Sequence, residues 1–210
     1  MIDDLPGPGT EARAEPVNEP AYKNVTAPST GKTTVGTPAL AALEPLQAAL
    51  HDKLLSLDRL VTAIERRRAD GETVVFTNGC FDVIHVGHVS SLAFCRRFGD
   101  IVVVGLNTDA SIRAQNKGAD RPILDQHSRM LMLAALVFVD YVVWFDEETP
   151  IRLLERIRPD VLIKGAHHRG DVKGSDLVES YGGRIELAPI VESQSTTMII
   201  NHIRAQGPTP

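Results

Sequence analysis

The chain has 210 residues, 43% of them hydrophobic, so it can bury one substantial core and suits one catalytic domain with an appendage. Its net charge of −5 excludes the broad basic surface that sequence-independent nucleic-acid binding requires. No apolar run approaches the roughly 20 residues of a membrane span, and Met1-Ile2-Asp3-Asp4 is acidic where a secretory signal is basic. Cys80 and Cys95 are not spaced as paired zinc ligands. We therefore expect a cytoplasmic protein with reduced thiols that binds neither nucleic acid nor membrane.

The N-terminal part divides into a tail and a helical extension. Residues 1–38 are rich in Pro, Gly, Thr, Ala and Glu and show no periodicity, which predicts a disordered tail. Over residues 39–71 leucines recur at three- and four-residue steps, Ser56 is a possible N-cap, and Asp70-Gly71 is a stop signal. The pattern predicts one or two amphipathic helices that cover the core or pair two subunits, and a homodimer is our expectation.

Residues 72–205 form the predicted catalytic domain, in which short apolar runs alternate with helical patterns. Strands that are apolar on both faces and separated by helices imply a parallel sheet covered on each side. The predicted fold class is α/β, a doubly wound Rossmann-like parallel sheet with flanking helices, plus the N-terminal helical extension. The predicted strands are 74–77, 101–106, 141–144, 160–163 and 184–187; the predicted helices are 88–98, 109–115, 125–137, 149–157 and 175–181, with a last one after Ser195.

The segment after the first strand carries the main chemical signal. It reads Asn78-Gly79-Cys80-Phe81-Asp82 and then His85-Val86-Gly87-His88. Gly79 and Gly87 let backbone approach a ligand closely, and a helix starting near Gly87 aims free N–H groups at an anion. A lone histidine is more often structural, but two in phase beside two glycines after a buried strand predict a phosphate cradle with two hydrogen-bond donors.

These residues resemble the cytidylyltransferase-like branch of the nucleotidyltransferase superfamily, whose hallmark is His-x-Gly-His after Phe-Asp. The resemblance covers roughly residues 54–204. Within that branch the sequence is most similar to the adenylyltransferase domain of the bacterial ADP-heptose synthases. The narrower match is carried by residues 77–82, Asn107-Thr108-Asp109, Lys164-Gly165 and Ser195-Thr196-Thr197.

The resemblance implies roles for individual residues. His85 and His88 contact the triphosphate and stabilise charge at the α-phosphorus, and Lys117 reaches over the phosphates from a mobile loop, although it could also be a solvated lysine. Ser195 is an N-cap on the residue evidence, and the resemblance adds contact with the β- and γ-phosphates through Ser195, Thr196 and Thr197. The other implied nucleotide-binding residues are Thr77, Asn78, Gly79, Cys80, Phe81, Gly87, Asn107, Lys164 and Gly165.

Several assignments near the site stay open. Asp82 could orient a histidine, hold the acceptor or brace the loop, and Arg121 could assist Lys117 or brace the turn before Pro122. Asn107 is expected to face the cleft, and Asp109 to cap the next helix. His167 stands where the heptose branch has Asp, which favours an effect on the base or sugar pocket. A metal site at His167 and His168 is disfavoured, because adjacent side chains seldom chelate one ion and no third ligand is evident.

The implied reaction transfers an adenylyl group from ATP to a sugar 1-phosphate, D-glycero-β-D-manno-heptose 1-phosphate, and releases pyrophosphate. Mg²⁺ would accompany ATP, no general base is needed for an ionised acceptor, and a separate sugar kinase would act upstream. One alternative is a cytidylyltransferase for glycerol 3-phosphate or a phosphorylated amino alcohol, but residues 190–196 lack the arginine of its Arg-Thr-Glu-Gly-Ile-Ser-Thr segment. Another is a non-catalytic nucleotide sensor, which would not need both histidines.

Overall fold

The computed structural model describes residues 44–115, 120–192 and 195–207. The tail predicted over 1–38, the first residues of the extension and Lys117 lie outside the described residues. Among the described residues, no helix combines the length and apolar character needed to cross a bilayer.

Five parallel strands form one sheet in the order β3-β2-β1-β4-β5, which confirms the predicted α/β class. The first strand is central and the order reverses around it, as in a doubly wound fold. The strands are β1 (Val74–Gly79), β2 (Ile101–Asn107), β3 (Tyr141–Phe145), β4 (Val161–Gly165) and β5 (Arg184–Ala188). The described helices are α1 (Glu44–Leu50), α2 (Leu57–Ala69), α3 (Val86–Cys95), α4 (Asp109–Ala114), α5 (Gln126–Ala134), α6 (Ile151–Ile157), α7 (Ser175–Ser180) and α8 (Thr196–Ala205), with 3-10 turns at His51–Lys53 and Ala166–His168.

The central strands are buried on both faces because helices cover each side of the sheet. All seven residues of β2 are buried, and Phe76 of β1 is fully enclosed. Gly105 of β2 lies against Phe76, so closely that a Cβ there would be 2.7 Å from the Phe76 Cζ atom. This packing explains why the strands are continuous apolar runs rather than alternating ones.

The helical extension packs on the same core as the sheet. Leu60 and Ile64 of α2 are buried in the cluster that contains Phe76. Before α2, Leu54 forms an isolated parallel bridge with Val142 of β3, so the chain adds a short strand-like contact at that edge. The extension therefore covers the core, while its division from the domain at residue 71 and its use in a dimer stay predictions.

Three predicted helices had boundaries that were wrong by a few residues. The helix predicted over 88–98 begins at Val86 and ends at Cys95. Its last predicted residues are not helical, because they form two turn hydrogen bonds in place of helical ones. The helix predicted over 125–137 ends at Ala134, and the one predicted from 149 begins at Ile151, after Pro150 at the N-cap position. Proline favours the start of a helix because it lacks the N–H that an interior position needs.

Candidate active site

The loop from β1 to α3 holds the predicted phosphate cradle in an unusual backbone conformation. Phe81 and Val83 have φ values of 45° and 52°, a left-handed region that costs free energy for residues other than glycine. The Phe81 ring lies over Gly79, 3.3 Å from where a Cβ would be. Such a conformation persists only where surrounding contacts determine it, so the loop is held rather than free.

His85 and His88 lie side by side at the start of α3. His85 is the N-cap, and its Nδ1 accepts a hydrogen bond of 3.1 Å from the Gly87 N–H. With Nδ1 acting as acceptor, the proton of a neutral His85 lies on Nε2, which becomes a donor. The two imidazole rings stack with centroids 3.9 Å apart.

Both histidines are held neutral by their surroundings. Burial lowers the pKa of His85 below its ordinary value. Burial, and then the neighbouring His85, lower the pKa of His88 to about 4. Its Nδ1 is buried without a hydrogen-bond partner among the described residues. The pair can therefore offer N–H donors to a polyphosphate without carrying a permanent charge.

Lys164 brings positive charge to the carboxyl ends of the strands, where the loop from β1 to α3 begins. It lies near the carboxyl end of β4, and its Nζ donates to the Asn78 Oδ1 at 2.6 Å and to the Asn78 carbonyl at 3.3 Å. The next residue, Gly165, is covered by the His167 ring, whose Cε1 is 2.5 Å from where a Cβ would lie. Lys164, Asn78 and His167 are thus brought together, as the sequence predicts for ligand sites at strand ends.

Asp82 is buried and committed to the neighbouring loop. Its carboxylate accepts hydrogen bonds from the backbone N–H groups of Ile123 and Leu124, and its Oδ2 lies 2.7 Å from the Arg121 Nε. The Nε–H of Arg121 is not aimed at the oxygen, so this contact is an ion pair and not a hydrogen bond. Of the three roles open for Asp82, the geometry favours bracing the loop, and Arg121 takes part in that bracing.

The start of α8 reaches the same loop. The Ser195 hydroxyl accepts a hydrogen bond from the Met198 N–H, which makes Ser195 the N-cap. The Thr196 hydroxyl donates to the Asp82 carbonyl at 2.6 Å and is therefore not available as a donor to a phosphate. Thr197 is exposed. Contact with phosphates through Thr196 would have to use its backbone N–H.

Two residues at and after the end of β2 differ from what the sequence predicts. Asn107 was expected to face the cleft, but it is buried and its amide donates to the Ser111 hydroxyl. Asp109, a structural residue that could have capped the next helix, does not cap it: Thr108 is the N-cap and accepts from the Ser111 N–H. Asp109 instead forms an ion pair with Arg129.

Arg129 was not predicted as a site residue from the sequence. This side chain of α5 is completely buried and hydrogen-bonds to residues on three separate segments around the loop. The signal in the sequence was a single arginine within the helical pattern 125–137, on the face that also carries Met130 and Leu133. A charged residue on an apolar helix face is seldom buried unless it is paired, so its position pointed to a partner inside the fold.

Two further predicted residues differ in exposure. Thr77 is buried in β1. Cys80 is half-buried, and its thiol lies 3.8 Å from the Gln115 Oε1. Across the described ranges, no group of three or more His, Cys, Asp or Glu could hold a metal ion.

Stacked neutral histidines at a helix start, and a lysine bonded to Asn78 at the carboxyl ends of β1 and β4, form a site suited to a nucleoside triphosphate. The chain is a nucleotidyltransferase. It belongs to the cytidylyltransferase-like family, whose model matches residues 76–202, and this confirms the family resemblance seen in the sequence.

Proteins named bifunctional protein HldE are similar to most of this chain. The one from Syntrophotalea carbinolica is 50% identical over 177 residues, which cover 82% of this chain and 36% of that protein. The one from Geobacter metallireducens is 52% identical, covering 74% of this chain and 32% of that protein. The one from Pseudomonas paraeruginosa is 46% identical, covering 82% and 38%. The chain thus spans about a third of the length of these relatives.

Proposed function

We propose that this chain transfers an adenylyl group from ATP to a sugar 1-phosphate, D-glycero-β-D-manno-heptose 1-phosphate, giving ADP-heptose and pyrophosphate. The observation that carries the proposal is the stacked pair His85 and His88, neutral and placed at the start of α3. The similarity to proteins named HldE over most of this chain supports the choice of substrate.

The acceptor is an ionised phosphate, so its oxygen can attack the α-phosphorus without a general base. The bond to the β-phosphate oxygen breaks, and pyrophosphate leaves with the electron pair. Catalysis is then a matter of position and charge stabilisation. The Nε2–H of His85 and an N–H of His88 would donate to the phosphate oxygens, and Lys164 would add positive charge from the neighbouring strand.

Mg²⁺ would enter with ATP as part of the substrate. The described residues form no cluster of carboxylates and histidines that could hold it alone. Mg²⁺ keeps several waters and is bound largely by substrate phosphates in such sites, so the absence of a protein cage is compatible with this role. Lys117 would complete the site as a lid, and a separate kinase would supply the phosphorylated sugar.

A second candidate is a cytidylyltransferase acting on glycerol 3-phosphate or a phosphorylated amino alcohol. The observation that favours it is His167, which replaces the aspartate of the heptose branch and covers Gly165 near the site. The segment before α8 argues against this candidate, because residues 190–196 contain no arginine.

The experiment is a matrix of pyrophosphate-release assays. ATP and CTP are each combined with heptose 1-phosphate and with glycerol 3-phosphate, in the presence of Mg²⁺. We expect release only with ATP and the heptose phosphate; release with CTP and glycerol 3-phosphate alone would overturn the choice of substrates. ATP binding without release under any condition would indicate a sensor.

Variants separate catalysis from binding. His88→Ala should lower kcat by about 10²–10³-fold, because one donor to the developing charge is lost. His51→Ala is the matched control, since His51 lies in the extension and its side chain contacts only Asp52 among the described hydrogen bonds and ion pairs. Unchanged turnover in His88→Ala would refute the catalytic role of the histidine pair.

A further inference from the structure

Arg129 is a completely buried arginine beside the candidate active site. It lies in α5 among the buried residues Met130, Leu131 and Leu133. A guanidinium that is removed from water costs several kcal/mol unless hydrogen bonds and an opposite charge compensate it. Arg129 should therefore have several hydrogen-bond acceptors, and the positions of these acceptors show which segments it connects.

The guanidinium binds backbone carbonyls at the ends of two strands. Its Nη1 donates to the Cys80 carbonyl at 2.6 Å and to the Asn107 carbonyl at 2.9 Å. Its Nε donates to the Leu124 carbonyl at 3.0 Å, and its Nη2 to the Asp109 Oδ1 at 2.7 Å. One side chain thus joins the histidine-bearing loop, the end of β2 and the segment before α5.

These bonds lie just beyond the last pair of β1 with β2, while Asn107 still pairs with Phe145 of β3. The last pair in the register between β1 and β2 is Gly79 with Leu106. Cys80 and Asn107 are the next residues along each strand, so Arg129 bridges the two strands one step beyond their ladder. It takes the place of a ladder hydrogen bond at the point where the backbone turns into the cradle.

The loop that follows Cys80 needs such support because it is strained. Phe81 and Val83 are left-handed, and both histidines follow within a few residues. Arg129 holds the carbonyl before this stretch, and Thr196 holds the carbonyl of Asp82 within it. The two contacts leave the loop little freedom to relax to ordinary backbone angles.

We propose that Arg129 is a positioning residue of this enzyme: through the carbonyls of Cys80 and Asn107 it fixes the loop that places His85 and His88. The inference rests on the proposed function, since it assigns the histidines to the transferring phosphate. It differs from a merely structural role, because a buried arginine that only stabilised the fold would leave the kinetics of the folded enzyme unchanged.

The test uses Arg129→Lys, which keeps the charge but cannot bridge two carbonyls in a fixed plane, and Arg129→Met, which removes it. Arg68→Met is the matched control. Arg68 also donates to two backbone carbonyls, those of Ile157 and Arg158, but these lie just before β4, at the opposite end of the strands from the candidate active site. For each protein, urea unfolding gives the folded fraction, and pyrophosphate release gives kcat and KM per folded molecule.

We expect both Arg129 variants to lose about tenfold to 10²-fold in kcat/KM for ATP, mostly in kcat, because a misplacement of about 1 Å in a reacting group has effects of this size. Arg68→Met should lose stability while its kcat per folded molecule is kept. If the Arg129 variants keep kcat and KM within about twofold of the unmodified enzyme, the proposal is refuted.

NMR of the histidine rings tests the placement without turnover. The His85 and His88 ring signals should move in Arg129→Lys and stay in place in Arg68→Met, and the reverse would overturn the proposal. This readout also serves if Arg129→Met does not fold. It separates the two hypotheses as well: if the unmodified protein releases no pyrophosphate, the proposed function fails, while the ring signals still decide on Arg129.

Discussion

The low pKa of His88 makes the stability of the fold depend on pH. Burial, and then His85, lower that pKa from 6.5 to about 4, so the folded protein keeps His88 neutral where the unfolded chain already binds a proton. A lowered histidine pKa contributes stability that is complete above pH 6.5 and is lost as the pH falls toward 4. At about 1.36 kcal/mol for each pH unit, the upper limit of this loss is about 3 kcal/mol.

Urea unfolding of the unmodified protein and of His88→Gln at pH 7 and pH 4.5 measures this contribution. Other groups titrate in the same range, so the informative quantity is the difference between the two proteins. The free energy of unfolding should fall by about 2–3 kcal/mol more in the unmodified protein than in the variant. An equal fall in both, or an NMR titration that places the His88 pKa at 6.5 or above, would refute the reasoning.

Three more predictions test the core, the extension and the thiols. Gly105→Ala should lower the free energy of unfolding by about 1–3 kcal/mol in urea, because the new Cβ would meet Phe76; no loss would mean that the strand can shift freely. Leu60→Ala should cost about 2–5 kcal/mol and the exposed Leu46→Ala close to none, and equal effects would show that the extension is not docked. Cys95, whose pKa burial raises to about 12, should react with a thiol reagent only after unfolding, while Cys80 reacts in the folded protein; rapid reaction of both would contradict the burial of Cys95.

Much of the fold could be predicted because local patterns determine it. The strand runs are apolar on both faces only because helices cover both sides, so their composition already indicated a parallel sheet. The place of the cradle after β1 followed from the rule that ligands bind at the carboxyl ends of such strands. The segment 78–88 therefore identified both a position in the fold and a chemistry.

The contacts that hold the site could not be predicted from local patterns. Asp82 binds Ile123 at a separation of 41 residues, and Arg129 binds Cys80 at a separation of 49. Both contacts depend on how two loops pack together at the carboxyl ends of the strands. A local sequence pattern does not specify that packing. The same holds for Thr196, whose hydroxyl was expected at a phosphate and is bound to the Asp82 carbonyl instead.

The N-cap of α4 was missed for a related reason, although Ser195 was correctly predicted as the N-cap of α8. Thr108 and Asp109 are both good capping residues, and only their backbone angles distinguish them: Thr108 is extended and Asp109 is already helical. Once Thr108 takes the cap, the Asp109 carboxylate is available to Arg129. Because the cap lies one residue earlier than predicted, Asp109 pairs with the buried Arg129 instead of ending the helix.

The bridge between Leu54 and Val142 also affects whether β3 can pair with a strand of another molecule. β3 is an edge strand, and its unpaired backbone groups would offer a template for a strand from another molecule. Leu54 and Leu55 occupy part of that template, and the Leu55 N–H donates to the Val142 carbonyl. At the other edge, β5 carries the charged side chains Arg184 and Glu186, which discourage strand addition. The segment that leads into α2 thus covers part of the β3 edge, which disfavours aggregation by strand pairing, and it also packs on the core.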